Sequence, residues 1–184
     1  MKLPTLSTAW ASLVIVILPL EPKAFAGDMP IPDVVLLNQE GERVHVYQDL
    51  IKGHVVVINT IFTTCTTICP PMGANFARLQ KLMGNPVYKD VRLISISLDP
   101  VTDTPERLKA WSEKFGAKPG WTLLTGSKQE VDTLLKALGV FTADKMDHAP
   151  VVLVGSETSG EWTRANGLAP PSQLAEIIKN VKGR

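Results

Sequence analysis

Two cysteines and a late histidine are the residues whose types and spacing could do chemistry in this chain. Cys65 and Cys69 lie four residues apart in FTTCTTICPPM, directly after a β-branched run. If a helix begins over Thr66 to Pro70, both sulfurs lie on one face of it, within reach of each other. At a helix N-terminus the dipole and free N–H groups favour thiolate over thiol, and thiolate sulfur is both nucleophile and metal ligand. Metal ligation and disulfide exchange are therefore both open to the pair. A purely stabilising disulfide is the plainer alternative, but the loop it would close is so short that its entropic benefit is about 2 kcal/mol or less. His148, in KMDHAP, lies in a loop that opens a strand, and loops at strand ends carry the sites of sheet folds. His45 alternates with Val44 and Val46 and is expected to face solvent; His54 reads as a strand-edge residue.

The elements that must position these side chains follow from residue patterning. HVVVINTIF (54–62) is almost entirely β-branched or aromatic, the signature of a strand buried on both faces. It runs straight into the cysteines, after which Phe76, Leu79, Leu82 and Met83 recur at helical spacing and Gly84 supplies a stop. The cysteines thus sit at a strand-to-helix junction. VRLISISL (91–98) is a second buried strand ended by Asp99-Pro100. DTPERLKAWSEKFG follows as a helix, with Asp103 or Thr104 as cap, Pro105 in the first turn and Gly116 closing it. WTLLTG, SKQEVDTLLKALG, APVVLVG, GEWTRANG and PPSQLAEIIKNVK read as strand, helix, strand, edge strand or hairpin arm, and final helix. Upstream, an extended DMPIPD leads into a hairpin in which Val34–Leu37 and Val44–Tyr47 flank NQEGER. Such alternation predicts an α/β fold, with helices packed on a mostly parallel sheet and an N-terminal β-hairpin. No repeat or low-complexity linker divides residues 27–184.

The first 26 residues read as an address. Lys2, an apolar run from Ala9 to Leu20 and the final Ala24-Phe25-Ala26 follow the order of a secretory signal peptide. The run is short for a membrane span, which needs about 20 residues; a retained anchor is the alternative. Export predicts a periplasmic protein in an oxidising compartment, where a cysteine pair can cycle. Over the whole chain, 45% hydrophobic residues and a formal charge of +1 exclude a disordered chain and leave no basic stripe for nucleic acid. Two cysteines are too few for a disulfide scaffold.

Taken together, the buried strand, the C-x-x-x-C-P of FTTCTTICP, the SISLDPVTDTPERLKAW segment and the late histidine of MDHAP resemble the Sco/SenC family, over roughly residues 30–179. These are thioredoxin-fold copper proteins, membrane-associated or periplasmic. The resemblance implies a thioredoxin-like fold and copper bound by Cys65, Cys69 and His148. It also implies delivery of copper to the dinuclear copper site of cytochrome c oxidase, or reduction of that site's cysteines before metal insertion. Expected partners are the copper-site subunit of cytochrome c oxidase or another periplasmic cuproprotein or thiol protein, met by a monomer. In the family pattern the aspartate of the D-P step recurs near the metal, which makes Asp99 a candidate for orienting the site, although Asp-Pro is also a common strand stop. Asp103 reads as a helix cap. Met72 reads as core, with weak thioether ligation the alternative. Trp111, Trp121 and Trp162 read as packing residues.

The chemistry of that donor set agrees. Two thiolates and one imidazole suit Cu(I), and with an added weak ligand Cu(II). Zinc could take the same set with an open fourth position, but a redox-active pair and a loop-borne ligand favour copper. One departure from the family pattern bears on function: Pro150 follows closely on His148, resembling the cis-proline of thioredoxin-type oxidoreductases. A cis Ala149–Pro150 bond would strengthen a second reading, a thiol:disulfide oxidoreductase with Cys65 attacking, Cys69 resolving and Pro150 orienting. A peroxiredoxin is disfavoured, because its P-x-x-x-T-x-x-C pattern places Phe62 where Cys69 needs proline, and Ile58 and Phe62 where Cys65 needs proline and threonine.

Overall fold

The structure, a computed structural model, describes residues 24–26, 29–84 and 86–183. Most of the expected signal segment, residues 1–23, lies outside the described residues. Strand β1 (Ala24–Ala26) comes first, followed by β2 (Val35–Asn38) and β3 (Arg43–His45), which form the expected hairpin. The second hairpin arm is shorter than the sequence suggests. Asp49 accepts the His45 N–H (2.8 Å), while Asp33 accepts those of Tyr47 (3.0 Å) and Gln48 (3.2 Å). These side-chain acceptors compete with a strand ladder, and the chain turns through a single π-helical stretch, Val46–Ile51.

β4 (Val55–Ile61) is buried along its whole length. Val55, Val57 and Ile61 face one core and Val56 and Ile58 the other, as a strand with both faces covered requires. β5 (Val91–Ser97) lies parallel to β4, and β6 (Trp121–Thr125) parallel to β5. On the other edge of β4, β7 (Val151–Ser156) runs antiparallel, then β8 (Glu161–Asn166) antiparallel to β7. β1 pairs with β8, and β2 pairs with β6. The order among the described residues is β1-β8-β7-β4-β5-β6-β2-β3, so the sheet is mixed, with its parallel part at the centre.

Helices α1 (Cys69–Leu82), α2 (Pro105–Lys114) and α4 (Pro171–Lys182) cover one face, and α3 (Lys128–Ala137) the other. Trp111, Trp121 and Trp162 are all buried, as packing residues should be. α1 starts at Cys69 and not at Thr66. A proline inside a helix lacks the N–H to bond residue i−4 and its ring strikes that carbonyl, so Pro70 and Pro71 must both occupy the first turn. α1 also lies hard against α2: a Cβ on Gly73 would come within 2.7–2.8 Å of the Phe115 and Trp111 rings.

Candidate metal centre

Cys65 sits in the turn that leaves β4, and Cys69 is the first residue of α1, so the two do not share a helix face as the spacing suggested. Their proximity arises differently. The first-turn N–H groups of a helix lack intrahelical partners, and Pro70 and Pro71 carry none. The Cys69 amide remains, and it donates to Cys65 Sγ at 3.4 Å. A positively polarised amide at the head of α1 thereby faces one sulfur. Thr67 Oγ1 lies 3.7 Å from the same sulfur.

The two thiols are unlike. Burial opposes ionisation of Cys65, but hydrogen bonds from Cys69, through its thiol and its N–H, and from Thr67 together outweigh it and hold the group below the ordinary thiol value. Cys69 is fully buried, and burial, followed by the adjacent Cys65 sulfur, pushes it up to about 12. Both cysteines are free thiols.

His148 arrives from 79 residues away because β7 is antiparallel to β4. Asn59 stands opposite Val152, so the loop before β7 returns to the end of β4 that carries the cysteines. His148 Nδ1 lies 2.6 Å from the Lys145 carbonyl oxygen, which can only accept. Nδ1 therefore carries the proton and Nε2 turns its lone pair toward Cys69 Sγ, 3.6 Å away. The Phe62 ring meets the imidazole edge-on, with centroids 5.2 Å apart.

One donor atom from each of Cys65, Cys69 and His148 lies within 4.8 Å of the others. An ion with bonds of about 2.0–2.3 Å needs donors about 3.3–4 Å apart, so closing on an ion takes shifts of an ångström or so. The set is soft, and its imidazole is already in the ligating tautomer.

The sequence pattern of the SCO1/SenC family matches residues 31–182. The chain belongs to the SCO1/SenC family. It is 41% identical over 93 residues to a SCO1 protein homolog of Bacillus subtilis, covering 50% of this chain and 47% of that one. It is 31% identical over 159 residues to a SCO2-like protein of Rickettsia conorii, covering 80% and 75%. The chain spans about half the length of the first curated relatives it matches, 47% and 52%. Among solved structures, a SCO1/SenC family lipoprotein of Bacillus anthracis superposes with a TM-score of 0.72 at 28% identity, covering 89% of this chain and 98% of that one. The fold is thus the thioredoxin-like one of Sco proteins.

Around these three side chains, other expectations sort themselves. All peptide bonds of the described residues are trans, Ala149–Pro150 included, so the cis-proline that would strengthen the oxidoreductase reading is not present. Met72 is fully buried in the core, its terminal methyl against Gly167. His45 is exposed and bonded to Asp33, and neither it nor His54 joins the cysteines. Asp103 is not the helix cap. Thr104 is, accepting the Arg107 N–H at 3.4 Å. Asp103 is fully buried instead, taking the Thr63 N–H (3.1 Å) and hydroxyl (2.5 Å) and the Ser97 hydroxyl (2.6 Å). It pins the turn two residues before Cys65 to the end of β5. Asp99 meets Lys145 Nζ at 2.5 Å. Burial opposes ionisation of Asp99, but Lys145 and Thr102 outweigh it and hold the carboxyl below the usual range. Thr63 and Lys145 carry no signal in the sequence beyond position, two residues before Cys65 and three before His148.

Proposed function

We propose that this protein binds copper through Cys65, Cys69 and His148 and passes it by ligand exchange to the copper site of cytochrome c oxidase or another cuproprotein. The observation that carries this reading is the convergence of two thiols and one correctly protonated imidazole within 4.8 Å. Soft sulfur donors select Cu(I), and a three-donor set leaves room for an incoming ligand during transfer. Relatives agree with it. One from Stutzerimonas stutzeri, 30% identical over 110 residues, is named for copper binding. A structural neighbour at 28% identity is described as a member of the Sco family of cytochrome c oxidase assembly proteins. Residues 1–26 would send the protein to the periplasm, and the lipoprotein relative supports a place outside the cytoplasm.

The deciding experiment titrates the reduced protein with Cu(I) against a competing chelator, alongside His148→Ala. A one-to-one complex, strongly weakened by the substitution, is expected. Absence of competitive binding, or binding indifferent to His148, would overturn the ligand assignment.

The contrast between the two thiols favours a second activity of the same pair. The Cys65 thiolate would attack a partner disulfide, giving a mixed disulfide and a released partner thiolate. Cys69, once deprotonated, would then displace the remaining partner sulfur from Cys65. The partner ends as a dithiol and Cys65–Cys69 as a disulfide, which suits reduction of an acceptor's cysteines before metal insertion. His148→Ala should leave the first step, attack by Cys65, nearly unchanged.

A further inference from the structure

We propose that the Lys145–Asp99 ion pair is the tether that presents His148 to copper, so that Lys145 and Asp99 are positioning residues of the centre; this rests on the copper reading above. His148 follows a single 3-10 turn, Lys145–Asp147, and is itself extended. One such turn has too few backbone bonds to hold a ligand still. The other hydrogen bonds described for this turn stay inside the loop: Asp144 accepts the Met146 N–H at 2.8 Å, and Lys145 O accepts from His148 Nδ1 at 2.6 Å. Apart from the contacts of the His148 ring with Cys69 and Phe62, the Lys145 ammonium is what reaches the rest of the fold. It lies 2.5 Å from Asp99 Oδ2, just past the end of β5, and 5.3 Å from the centre of the Phe62 ring.

The geometry couples that anchor to the ligand through one residue. Lys145 holds the His148 tautomer by its backbone carbonyl, and it holds the loop in place by its side chain. Phe62 touches both, under the ammonium and against the imidazole edge. The side chains of Lys145 and Asp99 are 35% and 13% exposed, so solvent and salt screen the pair less than an open surface pair. Removing the ammonium frees the carbonyl to move, and the imidazole moves with it. Outer partners of metal-ligating histidines typically change metal affinity by about 10–100-fold.

The test uses the full chain, reduced, with Lys145→Met, Asp99→Asn, the double variant and Lys145→Arg. Readouts are Cu(I) affinity against a chelator, the absorption and electron paramagnetic resonance spectra of the Cu(II) form, and the melting temperature of the metal-free protein. Lys145→Met should weaken copper about tenfold or more and alter the Cu(II) spectrum. Asp99→Asn should act in the same direction, and the double variant should be no weaker than the worse single, as coupled partners require. Lys145→Arg should restore affinity and spectrum. Wild-type affinity and spectrum in both singles, additive losses, or a lowered melting temperature with copper binding intact would overturn the proposal. Asp99→Asn, nearly isosteric, carries the test if Lys145→Met does not fold. Wild type and His148→Ala, run together, read the copper assignment separately: if wild type binds through His148 and the singles match it, the tether alone fails.

Discussion

Cys65 and Cys69 differ in one respect that matters for chemistry: hydrogen bonding outweighs burial at Cys65, and burial wins at Cys69. Cys65 Sγ accepts from the head of α1, whereas Cys69 is sealed beneath it with a second sulfur alongside. Reaction with iodoacetamide, which consumes thiolate only, should reveal the difference in the reduced, metal-free protein. A lowered pKa keeps thiolate present at lower pH, so the rate profile of Cys65 should have its midpoint below that of a free thiol. The profile of Cys69 should rise only well above it. Peptide mass spectrometry across pH reads both at once. Equal midpoints, or modification of Cys69 first, would contradict the assignment of roles within the pair.

At the scale of elements, α1 places Cys69, and α1 is placed by its contact with α2. Gly73→Ala sets two effects against each other. Alanine favours a helix by about 1 kcal/mol over glycine, whereas the added methyl would meet the Trp111 and Phe115 rings at 2.7–2.8 Å. Overpacking of this kind costs about 1–3 kcal/mol, so denaturant unfolding should show a net loss of about 1 kcal/mol. A gain in stability would mean that the rings give way freely. The buried strands, the four helices and the hairpin are legible in the sequence because each depends on local periodicity, a cap or a proline. The start of α1 is not legible from the cysteine spacing, which suggested Thr66; the two prolines hold it at Cys69. Asp103 is not legible either, because DTP offers two adjacent capping groups and only the position of Thr63 selects between them.

At the scale of the molecule, the centre exists because separate parts of the chain meet at one end of the sheet. No local pattern shows that β7 runs antiparallel to β4, and on that direction depends whether His148 returns to the cysteines or ends at the far edge. The resemblance to Sco proteins supplied the triad before the geometry could. Bound as proposed, copper would link the end of β4, the head of α1 and the loop before β7, a link the unfolded chain cannot form with comparable affinity. At free Cu(I) a hundredfold above the dissociation constant, a ligand specific to the native state adds about 2.7 kcal/mol. For a chain of this size that is a rise in melting temperature of about 5–11 °C. Calorimetry of the reduced protein with and without buffered Cu(I) should show it, and His148→Ala at the same free copper should show a much smaller rise. An equal rise in the variant would mean that the sulfurs alone hold the ion, and that the loop before β7 takes no part in the link.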